Sequence, residues 1–241
     1  MINPFSVRQL PLLGGAALLA SLLTACPGPP TPPPPGVSLG FSYPAQADTS
    51  GLTLAAIYFT GTAGTDLKVL STSSGYGGYG PPAGSSASLY MDGYALAALA
   101  KDPLCMTPFK DGEAKGMQDV TLSNPEVRTC NVYFLAFRDA NGDRLPQKAE
   151  EAYMTHDILS NASTDFTYSY LSPDGKSRES GSRKSGWTLV RHMVLQPEAT
   201  PGQYLVSMNS VPTADQGIPV ALHEPSNYFS SLSVPVAGGQ R

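Results

Sequence analysis

The sequence predicts an all-β fold, an antiparallel β-sandwich, and three observations point there. Glycine and proline are abundant, 24 and 23 of 241 residues. Charged residues are only 14%, well under the roughly 25% of an average soluble domain. The apolar residues fall in short runs rich in β-branched and aromatic side chains, bounded by Gly, Pro, Asn and Asp. A helical bundle would instead be rich in Ala, Glu, Lys and Leu. With 15 Lys+Arg against 19 Asp+Glu the net charge is −4, which excludes a basic nucleic-acid binder, because there is no cationic surplus to neutralise phosphates.

The strands follow in order. Residues 37–43 form the first. Residues 52–60, LTLAAIYFT, are a strong apolar run, and 67–71 follow a Gly-Thr turn. Residues 131–138, NVYFLAFR, read as a central strand. In 165–171, Phe166, Tyr168 and Tyr170 alternate with Thr167 and Ser169. In 187–195, Trp187, Leu189, Arg191 and Met193 alternate with Thr188, Val190 and His192, which sets His192 on a solvent face. Residues 203–208 and 228–236 close the chain. The stretch 172–186 begins with the turn Pro173-Asp174-Gly175 and continues as a Ser, Gly and charge mixture, so 166–195 reads as one long hairpin with a mobile tip. Only 90–101 has helical spacing, and Asp102-Pro103 stops it. The sum is one domain over 37–241, a sandwich of Ig-like or Greek-key type with long loops and at most one short helix.

The preceding residues read as an address. An apolar run of about 14 residues, 10–23, has the length of a signal h-region and is too short to span a membrane comfortably. It ends in Leu23-Thr24-Ala25-Cys26, followed by PGPPTPPPPG. This resembles the lipobox of bacterial lipoproteins. The resemblance implies a signal peptide over 1–25, cleavage before Cys26, a diacylglycerol thioether on Cys26, and acyl chains such as palmitate holding the mature protein to a membrane of the cell envelope. In that family Asp after the cysteine favours inner-membrane retention. Pro27 stands there, which implies the outer membrane or the surface. Residues 26–36 form a lipidated, proline-rich stalk, extended in polyproline II and reaching roughly 30 Å.

Cys105 and Cys130 remain. Outside the cytoplasm two thiols in one domain usually pair, so a disulfide is favoured over a thiolate copper or zinc site. Asp139-Ala-Asn141-Gly-Asp143, with Glu150 at position 12, has the oxygen spacing of a calcium loop. Position 6 is Arg144 rather than glycine, and position 8 is Pro146. The segment is similar to the calcium-binding Asp-rich turns of bacterial surface β-sandwich domains. Calcium is therefore the candidate cofactor, weighed against a plain hydrated Asn-Gly turn.

His156, His192 and His223 are the only histidines. Gathered together they would suit copper or zinc, as in a copper-only superoxide dismutase-like site, with Met154 and Met193 nearby. No His-x-His pair supports that, and isolated surface histidines are the plainer reading. Residues 71–86, STSSGYGGYGPPAGSS, lack the Gly-Lys-Ser/Thr of a phosphate loop. They read as an exposed loop in which Tyr76 and Tyr79 are candidate contacts. Lys176, Arg178, Arg183 and Lys184, against Asp174 and Glu179, give the hairpin tip a surplus of two positive charges, suited to anionic envelope polymer or headgroups. No nucleophile elbow, Ser-x-x-Lys or His-Glu-x-x-His occurs. The sequence alone thus predicts a lipid-anchored, non-catalytic envelope module that binds another envelope protein or polymer. The alternative is a metal-binding protein or metalloenzyme on the three histidines.

Overall fold

The computed structural model describes residues 34–45, 47–60, 66–74, 86–147, 149–197, 204–211 and 217–225. The signal segment and Cys26, Tyr76 and Tyr79, and the strand expected at 228–236 lie outside them. Strand β1 (Val37–Ser42) is followed by β2 (Leu52–Thr60), β3 (Asp66–Ser74) and β4 (Ser86–Met91). Helix α1 (Gly93–Leu99) comes next, then β5 (Thr107–Pro108), β6 (Gln118–Leu122) and β7 (Arg128–Arg138). The second half holds β8 (Glu151–Met154), β9 (Ile158–Ala162), β10 (Phe166–Leu171), β11 (Ser177–Arg183), β12 (Gly186–Pro197), β13 (Tyr204–Ser210) and β14 (Val220–Ala221).

These strands make a mostly β sandwich. A three-stranded sheet, β14-β1-β4, faces a large sheet ordered β3-β2-β7-β9-β12-β13-β11-β10-β6, with β5 and β8 also paired to β7. All pairs are antiparallel except β1 with β14 and β11 with β13. The two layers share a core of Leu39, Phe41 and Leu89 from the small sheet with Leu54, Val132, Phe134, Leu159 and Leu189 from the large one. Phe41 meets Phe134 edge to face at 5.2 Å. Burying each such side chain contributes roughly 1.5–3 kcal/mol. Cys105 and Cys130 are disulfide-bonded inside this core.

The opposite face of the large sheet carries a second core. Phe166, Tyr168 and Tyr170 of β10 pack with Ile158, Val190, Val206 and Met208 beneath Phe109. Phe109 lies 5.2 Å from Phe166 and 4.8 Å from Tyr168. The Tyr168 ring covers Gly181, where a Cβ would come within 2.7 Å of it.

Two expectations are corrected. The helix is shorter than 90–101, because Tyr90 and Met91 pair with β1 at Ser38 and Val37. It starts at Asp92, whose carboxylate accepts from the N–H groups of Tyr94 and Ala95 at 2.9 and 3.0 Å. The long hairpin is a shorter one. β10 pairs with β11 around the turn at 172–176, and β12 pairs with β9 and β13 instead. The Ser, Gly and charge mixture is therefore a strand, and its Glu179 and Arg183 are buried. The basic tip loses Arg183 to the core.

Candidate metal centre

The three histidines of the chain meet. His156 sits in the turn between β8 and β9, His192 on β12, and His223 just after β14. Ring centroids are 4.9 Å apart for His156 and His192, and 5.2 Å for His156 and His223. Strand register explains the first contact. Ile158 pairs with Val190, so two residues further out His156 stands opposite His192. His192 is thus half-buried against another imidazole, not on the open face its alternation predicted.

Asp157 holds this corner. One carboxylate oxygen accepts the His192 backbone N–H at 2.8 Å, and the other pairs with Arg191 at 2.7 Å. Arg191 also donates to the carbonyls of Ile218 and Pro219. That secures the segment leading into β14, whose Val220 and Ala221 pair with Phe41 and Ser42. His223 then exchanges both backbone hydrogen bonds with Met154, each at 2.9 Å. His223 therefore lies where the small sheet's edge is bonded to a strand of the large one.

The ring nitrogens are unequal. A carbonyl only accepts, so the 3.0 Å contact between His223 Nδ1 and the Glu224 carbonyl places a proton on Nδ1, and it is the neutral ring with this tautomer that carries its lone pair on Nε2. That Nε2 and the Nε2 of His156 are sealed from solvent without a hydrogen-bond partner. A buried polar atom left unpaired costs about 1–3 kcal/mol. Burial, with His192 and His223 adding to it, pushes the His156 pKa down to about 3. Burial also lowers that of His192, with His223 adding to it and Asp157 opposing. The His156 ring is neutral at neutral pH. His156 and His223 are stacked at 17° between planes, and among the described residues no three His, Cys, Asp or Glu side chains already close as ligands around one point. A groove of about 600 Å³, lined by Tyr43, Pro44, Leu222 and Glu224 among others, has His223 in its wall. Neither methionine joins the cluster. Met154 packs with Ile57 and Phe137, and Met193 is exposed.

No protein-family model matches the chain, and no curated protein or solved structure matches it significantly.

The Asp-rich loop is a different kind of site. Asn141 and Asp143 accept backbone N–H groups from Asp143 and Leu145, and Asn141 and Gln147 donate to Asp143. These hydrogen bonds, the Leu145 N–H first, hold the Asp143 pKa below the usual carboxylate range. Asp139 accepts from Arg144 N–H, and Glu150 from Ala140 N–H. The remaining oxygens, Asp139 Oδ1 and Glu150 Oε2, are sealed and unpartnered. Arg144 adopts φ +61°, the left-handed conformation that position 6 of a calcium loop assigns to glycine.

A third polar cluster escaped the sequence reading. Arg183, fully buried in the second core, pairs with Glu113 at 3.0 Å and donates to the Tyr168 hydroxyl at 3.1 Å. Tyr168 donates to Glu179 at 2.8 Å, and Thr129 to Glu113 at 2.9 Å. Burial alone would lower the Arg183 pKa, but Glu113, Tyr168 and Glu179 outweigh it and the guanidinium stays charged. Burial raises the Glu179 pKa, against the opposing hydroxyls of Tyr170 and Tyr168 and the charge of Arg183. A signal was present: Glu179 and Arg183 are four apart, so in a strand they share a face.

Proposed function

We propose that this protein is a lipid-anchored, extracytoplasmic module that works by binding, with another envelope protein or polymer as its partner. One observation carries the reading. Cys105 and Cys130 are bonded to each other, which leaves Cys26 as the single remaining cysteine, at the end of LTAC and ahead of the proline stalk. A disulfide fits an oxidising compartment, and β1 begins one residue after the stalk ends. Acyl chains on Cys26 supply the anchor, since stable attachment takes more than one chain at about 0.8 kcal/mol per buried CH₂. Fractionation of cells expressing wild type and Cys26→Ala tests it. Wild type is expected with the membranes and the variant in the soluble fraction. Equal solubility of the two contradicts the anchor.

A second reading, a metal-binding protein on His156, His192 and His223, is favoured by one observation, the meeting of the three rings.

A further inference from the structure

We infer that His156, His192 and His223 bind a single divalent transition ion of the zinc and copper(II) class, with Nε2 of His156 and of His223 as two of its three ligand atoms. The inference rests on the metal-binding reading and is independent of the anchor.

Spacing comes first. A zinc–imidazole bond is about 2.0–2.1 Å, and the ring centroid lies about 1.1 Å beyond the nitrogen. Tetrahedral ligation therefore sets centroids about 5.2 Å apart. The observed spacings are 4.9 and 5.2 Å. His156 already stands at ligand distance from each of the other two rings. With His223 held by the Glu224 carbonyl, closure of the site asks the His156 ring to turn about its side-chain bonds until its Nε2 faces the ion.

The nitrogens come second. Two Nε2 atoms are sealed and unpartnered, and the His156 side chain is more than nine-tenths buried. His223 presents Nε2 because Nδ1–H is held by the Glu224 carbonyl, the arrangement by which metal-bound histidines are fixed in tautomer and orientation.

The donor set then selects the ion. Both oxygens of Asp157 are engaged by Arg191 and the His192 backbone, so the ligands are imidazoles. Imidazole suits zinc and copper, whereas calcium and magnesium want oxygen. Three protein ligands leave a fourth position for water or a small ligand, and His223 stands in the wall of a groove. The ion also ties β12 and the β8–β9 turn to the segment after β14.

The test uses the full chain extracted in detergent, loaded with Zn²⁺ or Cu²⁺ and dialysed against a weak chelator. One ion per chain is expected to remain. His156→Gln, His192→Gln and His223→Gln are each expected to lower affinity at least ~10-fold, while Lys110→Ala, at an exposed position, leaves it unchanged. Electron paramagnetic resonance of Cu²⁺-loaded wild type counts nitrogen ligands without any variant, so it decides even if a variant misfolds. A multi-nitrogen spectrum supports the site, and an oxygen-only spectrum overturns it. Retention of one ion that His192→Gln weakens but His156→Gln and His223→Gln do not overturns this ligand set and leaves the metal-binding reading standing, whereas retention that no histidine variant weakens overturns both. No retained ion overturns both.

Discussion

Arg183 on the large sheet and His156 in the turn between two of its strands are both buried polar residues, yet their surroundings are opposite. Arg183 is charged, and Glu113, Tyr168 and Glu179 gather around it. It keeps Nε and Nη1 without a protein partner, but its charge is matched. His156 is neutral, faces two more imidazoles, and leaves Nε2 unpaired. The first cluster matches its charge within the fold, so it is structural. The second has lone pairs and nothing to share them with, so it awaits a ligand. Burial alone does not separate structure from function here; whether the fold supplies a group of opposite character does.

The largest expected effect is on the structural side. Arg183→Met leaves Glu113 and Glu179 without their cation, and breaking a buried pair by removing one partner costs about 3–5 kcal/mol. Urea unfolding measures it. A loss under about 1 kcal/mol would remove the contrast with the histidines. Next is the disulfide, which closes a segment across a sequence separation of 25. Cys105→Ala with Cys130→Ala should cost about 3 kcal/mol by the same measurement, with no change in metal affinity, because the bond lies in the core between the sheets and outside the histidine corner. Smaller still is the Asp-rich loop. Millimolar calcium, against EDTA, should raise stability by about 1 kcal/mol if affinity is in the range of ~10⁻⁴–10⁻³ M for extracellular modules. Asp139→Ala should abolish that shift, and an unchanged midpoint in both proteins makes the loop a hydrated turn. Of similar size is Arg144→Gly, which relieves a left-handed φ worth about 1 kcal/mol. A fall in stability would mean that the Arg144 side chain contributes more than its backbone strain costs.

The same contrast explains what was legible in the sequence. The strands at 52–60 and 131–138 were legible because their composition is local and strong. The disulfide followed from the compartment that the lipobox resemblance implies. The Asp139–Asp143 turn announced itself because its oxygens lie within five residues. The strand at 177–183 did not, since Ser, Gly and charge read as a loop until the partner strand covers them and gives Glu179 a Tyr168 hydroxyl. The histidine cluster was hidden for a different reason. His156 faces His192 only through the register of β9 on β12, and His223 arrives through the parallel pairing of β14 with β1. Neither register is written in any local pattern.

The most direct test is thermal unfolding of wild type and His156→Leu, each with and without Zn²⁺. The variant replaces an unpaired buried nitrogen with apolar atoms, a change that is neutral or stabilising when the group has no partner. We predict that without metal His156→Leu melts at or above wild type, and that Zn²⁺ raises the midpoint of wild type only. A variant that is destabilised without metal, yet still gains stability from Zn²⁺ as wild type does, would contradict the account.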